Sequence, residues 1–127
     1  MNNIFLYAPR DSQSYRQVEK YLANVSFGGE CIIIPPGSRF SSPLCLHLRS
    51  NDIFILFAEN DEDLTELCSS HEEYEDFRIV LIVKDEFQIQ KSKLRNISPR
   101  FIAYLDSNVE DVQEYIHSAF KKNNEIL

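Results

Sequence analysis

Tryptophan is absent from this chain of 127 residues, methionine occurs once, and there are only three glycines and three cysteines. Each scarcity excludes something. Cys31, Cys45 and Cys68 leave an odd thiol and show no metal-like pairing, so a secreted disulfide framework is not expected and a reducing cytoplasm is. Glycine is too sparse for a phosphate-cradling loop: no GxGxxG and no Walker sequence is present. No apolar stretch approaches the roughly 18 residues that would cross a bilayer. Met1-Asn2-Asn3 lacks the basic start of a signal peptide and leads straight into an apolar run. Basic charge is also short. The net charge of −7 argues against nucleic acid as a partner, because such binding rests on Lys and Arg neutralising phosphates.

What is present is a rhythm. Five short apolar runs recur: Ile4–Ala8, Cys31–Ile34, Ile53–Ala58, Ile79–Val83 and Phe101–Leu105. The third and fourth are continuous, rich in β-branched and aromatic residues, and do not alternate. Strands buried on both faces read this way, and a parallel sheet covered by helices requires it.

Between the runs the period changes to that of a helix. Tyr15, Val18, Leu22 and Val25 make one stripe, which Gly28-Gly29 is expected to end. Leu64, Leu67, His71 and Tyr74 make a second. Val109, Val112, Ile116 and Phe120 make a third, opened by Ser107-Asn108-Val109-Glu110 at capping-box spacing. Asp11 and either Asn60 or Asp61 are the expected caps of the helices after the first and third runs. Residues 38–49 and 87–97 are read as short helices, the first starting near Ser42 or Pro43 and the second ending before Pro99. Alternating strand and helix in one chain of this length predicts a single domain over residues 1–127. Its expected form is a three-layer α/β/α sandwich with a five-stranded parallel sheet in the flavodoxin-like order 2-1-3-4-5.

Ligands of such sheets bind outside the carboxyl ends of the strands, at the switch point between the first and third. The residues there are Pro9-Arg10-Asp11-Ser12, Pro35-Pro36-Gly37-Ser38, Glu59-Asn60-Asp61, Lys84-Asp85-Glu86 and Asp106-Ser107. Arg10 and Ser12, at a helix start, are candidates for a phosphate or nucleotide, although Asp11 beside them would repel an anion. Asp11, Glu59, Asp61, Asp85 and Asp106 are candidates for a hard cation such as magnesium. His47, His71 and His117 have no spacing typical of zinc sites, and no nucleophile–base arrangement can be assembled. No cofactor is expected.

In length, element order and helix placement, nearly the whole chain resembles the receiver domains of bacterial response regulators. The resemblance implies an acidic pair after the first strand to hold magnesium and a phosphoacceptor aspartate at the end of the third. It also implies a Thr or Ser after the fourth strand and a Lys-Pro pair after the fifth. This chain reads Ala8-Pro9-Arg10, Glu59, Val83-Lys84 and Asp106-Ser107 at those places. All four depart from the pattern. The expectation is therefore a degenerate receiver-like domain, not an enzyme, acting in regulation through a protein partner or as a homodimer. The alternatives are a metal-dependent phosphoacceptor and a small phosphate binder.

Charge patterning supports an interaction role. Residues 59–76 carry nine acids and neither lysine nor arginine, so the remainder of the chain is slightly basic. Lys84, Lys91, Lys93, Arg95 and Arg100 follow, and Phe101, Tyr104, Tyr115 and Lys121-Lys122 lie in the region that receivers use for output. An acidic face beside a basic one would steer a partner or a second copy.

Overall fold

The computed structural model describes residues 3–37, 52–70, 77–85 and 97–125. Five strands are formed: β1 (Ile4–Tyr7), β2 (Cys31–Ile33), β3 (Ile53–Ala58), β4 (Arg78–Val83) and β5 (Phe101–Tyr104). Three helices lie in the described residues: α1 (Gln13–Ala23), α2 (Asp61–Ser69) and α3 (Asp111–Glu125). All strand pairs are parallel and the order is β2-β1-β3-β4-β5, as the rhythm of the sequence predicts.

The absence of alternation in the apolar runs has a direct physical cause. β3 is central and no side chain on it is more than 1% exposed. Ile53, Ile55 and Phe57 face one layer, together with Ile4, Leu6, Val80, Ile82 and Ala103. Against them pack Tyr15, Val18 and Leu22 of α1 and Val112, Ile116 and Phe120 of α3. Phe54, Leu56 and Ala58 face the other layer with Phe5, Ile79, Leu81 and Val83, covered by Leu64, Leu67 and Cys68 of α2. Successive strand residues point to opposite faces, so a strand covered on both must be apolar throughout.

Tyr15, Val18, Leu22 and Val25 are buried, as are Leu64 and Leu67 and Val112, Ile116 and Phe120; Val109 is half-buried in a turn, and His71 and Tyr74 lie outside the described residues. The helix boundaries differ from expectation. Ser12, not Asp11, caps α1: its Oγ accepts from Tyr15 N at 3.1 Å. Asp11 instead pairs with Arg16 on the surface. α1 ends at Ala23 with Asn24 as its cap, so Gly28-Gly29 serves the following turn rather than the helix end. Asn60 caps α2, its Oδ1 accepting from Asp63 N at 2.9 Å. Ser107–Glu110 is a turn rather than a capping box, and α3 starts at Asp111. Asn108 organises that turn: its Oδ1 accepts from Tyr104 N at 2.8 Å and its Nδ2 donates to Asp111. The expected helix at 38–49 lies outside the described residues, as does that at 87–97 except for its last residue, Ile97.

Two glycines are in the left-handed region. Gly28 has φ +80° and nothing within 4 Å of the point a Cβ would occupy. At Gly37, with φ +77°, a Cβ would lie 3.0 Å from the Pro9 carbonyl oxygen. Gly37 N also donates to Ala8 O at 3.0 Å, fastening the β2 loop to the end of β1. Gly37→Ala is therefore expected to destabilise more than Gly28→Ala, by about 1 kcal/mol or more beyond the shared backbone cost. Urea unfolding of the two variants checks this, and equal losses would contradict it.

Tyr15 is 1% exposed, and its hydroxyl has no hydrogen-bond partner among the described residues. Burial, with Glu19 and Asp11 adding to it, pushes its pKa from 10.0 up to about 12. The unfolded chain releases this proton near pH 10 and the folded one only near pH 12. Stability from this group is thus full below pH 10 and falls as the pH rises through that window. Burial raises Tyr21 as well, so it contributes to the same decline. Tyr15→Phe is expected to be neutral, or stabilising by up to about 1 kcal/mol, at pH 7, and to flatten the alkaline limb in part. A melting series across alkaline pH would show it.

Candidate functional site

The sequence candidates gather at the carboxyl edge of the sheet, and the structure shows what each does there. β1 leads through buried Ala8 and Pro9 to Arg10, which is exposed. Across the β1–β3 switch point, β3 leads to Glu59 and Asn60, and α2 begins at once. Arg10 spans the gap. One guanidinium nitrogen donates to Asp63 and the other to Glu66, in the first and second turns of α2. The Asp63 hydrogen bond, then that of Glu66, raises the pKa of the guanidinium.

Asp63 is the centre of this arrangement and is only 3% exposed. Its Oδ1 accepts from Arg10, its Oδ2 accepts from Glu59 N at 3.1 Å, and its own N–H donates to Asn60. The cap and the third helical residue therefore satisfy each other's end of the helix, with the aspartate reaching back one residue further than the usual capping box. Asp63, Asp61 and Glu62 also sit in the first turn, where the helix dipole favours negative charge. A carboxylate buried this deeply needs a cation and hydrogen bonds, and Arg10 and the Glu59 amide supply them.

The remaining candidates are dispersed. Ser12 is engaged as the α1 cap and Asp11 with Arg16. Asp61 and Asp106 are exposed, while Glu59 and Asp85 are half-buried. Among the described residues no three His, Cys, Asp or Glu side chains lie close enough together to hold a metal ion. Cys31 is half-buried and Cys68 buried, both as free thiols; burial pushes the Cys31 thiol pKa up. Cys45, His47 and His71 lie outside the described residues. His117 is exposed, with its Nε2 against the Ser26 carbonyl.

In the sequence, Asp63 and Glu66 stand out only as members of an acidic run. The signal that could have singled out Asp63 is its position three residues after Asn60, where a side chain can return to the helix start. Nothing local marks Arg10 as its partner, because the two are 53 residues apart. The cation that reaches the acidic helix thus comes from the end of β1. Of the basic segment expected to face that helix, Lys91, Lys93 and Arg95 lie outside the described residues. Compared with family models, curated proteins and solved structures, the chain matches none of them.

Removing Asp63 is expected to be the costliest change in this cluster. Asp63→Ala deletes a buried acceptor of two hydrogen bonds and should cost about 1–3 kcal/mol. Glu66→Ala, at an exposed pair, should stay below about 1 kcal/mol. Arg10→Ala should lower the melting temperature, and its effect should shrink in the Asp63→Ala background. Additive losses in that double-mutant cycle would show that the bridge carries no coupling.

Proposed function

We propose that this domain is a receiver-like regulatory module that works by protein–protein interaction and has no catalysis of its own. The observation that carries the reading is the Arg10 bridge. It spans the switch point with an ion pair internal to the chain, joining the β1 end to α2 near where a ligand-binding domain of this topology would hold its ligand. Charge that a partner could meet lies outside that switch point. Asp61 and Glu62 are exposed on α2, and the net charge of the chain is −7. Such a surface accelerates encounter with a basic partner or with a basic face of a second copy. A bacterial, cytoplasmic signalling context belongs to the same reading and rests on the resemblance in architecture.

Two measurements test it. Incubation with acetyl phosphate and magnesium is expected to leave the intact mass unchanged. Stoichiometric labelling that is lost in Glu59→Gln or Asp61→Asn would replace this reading with that of a phosphoacceptor. Light scattering at high protein concentration is expected to show self-association at low salt that weakens as salt screens the charges. A monomer under all these conditions would exclude the homodimer, and pull-down with a basic partner surface would then be the remaining support.

A further inference from the structure

A recess of about 340 Å³ lies between α1 and β2, walled by Tyr15, Glu19 and Ala23 on one side and by Ile33 and Pro36 on the other. Strand order accounts for its place. β2 is the outermost strand, so no described strand continues the sheet beyond Ile33. Cys31, two residues earlier and therefore on the same face, packs into the layer that α1 covers. Ile33 emerges at the border of that layer. At 37% exposure it is the exposed large apolar side chain among the described residues. Tyr15, Glu19 and Ala23 recur at four-residue steps and so share one side of α1. Tyr15 is the buried part of the wall: it is 1% exposed, and its hydroxyl has no hydrogen-bond partner among the described residues. A tyrosine hydroxyl taken out of water ordinarily finds a partner, so this donor is unmatched at the wall of a recess.

We propose that this recess binds a small neutral molecule with an apolar body and a carbonyl group, the carbonyl accepting a hydrogen bond from the Tyr15 hydroxyl. The unmatched donor sets the polar contact. Burial holds the hydroxyl protonated well beyond neutral pH, so it has a proton to donate. Charge in the lining sets the ligand's neutrality. Glu19 and Asp11 both line the recess and both act electrostatically on the hydroxyl, so an anionic acceptor would meet two like charges there. Arg16, a cation that would offset them, already pairs with Asp11. With two acids balanced by Arg16 and Lys20, the lining has no net charge to draw in an ion of either sign. Ile33, Ala23 and Pro36 supply the apolar surface, and covering Ile33 removes it from water. The volume is at the low end of the roughly 300–1,000 Å³ typical of ligand sites, which favours a single-ring molecule. Entry to the shielded hydroxyl requires exposed rim side chains such as Lys20 to turn aside, a picosecond-to-nanosecond motion. Arg10, Asp63 and Glu66 take no part, so the site is independent of the interaction role proposed above.

Amide chemical shifts, followed by NMR while the whole chain is titrated with benzamide, test the proposal. Benzoate, of the same shape but anionic, is the comparison at matched ionic strength. Benzamide is expected to saturate in the millimolar range, with shifts centred on Tyr15, Glu19, Ala23 and Ile33, and benzoate to bind at least about fivefold more weakly. Tyr15→Phe keeps the ring and removes the donor, so it should weaken benzamide binding about fivefold while leaving the fold intact, which circular dichroism verifies. Gln17→Ala, at an exposed α1 position outside the lining, should leave binding unchanged. If Tyr15→Phe fails to fold, Ile33→Ala decides the matter, because Ile33 is exposed and its loss should weaken binding about threefold. Shifts that grow without saturating, benzoate binding as tightly as benzamide, or undiminished binding in the folded Tyr15→Phe or Ile33→Ala variant would overturn the proposal.

Discussion

Every other feature of this protein is arranged around the burial of β3 on both faces. A central strand of a parallel sheet cannot present a polar face, so Ile53–Ala58 must be apolar at every position and must be covered twice. The two covers follow from it. Among the described residues, α1 and α3 cover one face and α2 covers the other, each through buried residues at helical spacing. Dry packing of this kind tolerates few voids and few unpaired polar groups, and among the described residues the Tyr15 hydroxyl is the buried side-chain group without a partner. Polar chemistry is therefore concentrated at the sheet edges, where strands end and helices begin.

At the carboxyl edge the chain satisfies its charges internally. Asp63 is buried because α2 starts immediately after β3 and its first turn lies against the sheet. Having been buried, the carboxylate requires donors, and it takes them from Arg10 and the Glu59 amide. Arg10 thereby ties the end of one central strand to the helix that follows its neighbour. The same fold that brings the ends of β1 and β3 together at this point also bridges them with an ion pair. At the amino edge, the pairing of β4 with β5 brings Arg78 and Arg100 to one cleft.

Much of the architecture was legible in the residues because its causes are local or periodic. Continuous apolar runs, three- and four-residue stripes and the Asn60 cap are all short-range signals, and all five strands fall within a residue of the runs that announced them. The features that departed from expectation are those in which several short-range options compete. Asp11 and Ser12 are both competent caps, and the choice of Ser12 frees Asp11 to pair with Arg16. Ser107 and Glu110 have capping-box spacing, yet they lie in a turn that Asn108 organises by accepting from Tyr104 N at the end of β5. Gly28-Gly29 has the composition of a helix stop, but α1 has already ended at Asn24.

Layers, strand assignments and sheet order are written in the order of the residues, because each follows from which side chains must leave water and at what period. The same reasoning locates the sheet edge where charged and polar side chains gather. Which of those side chains meet is left to the folded chain. Arg10 and Asp63 are 53 positions apart, and Arg78 is separated from Arg100 by a full crossover. A charge has no period and signals nothing to its distant partner along the chain. The partner is chosen when the sheet forms and burial leaves each ionised group a small number of donors or acceptors within reach.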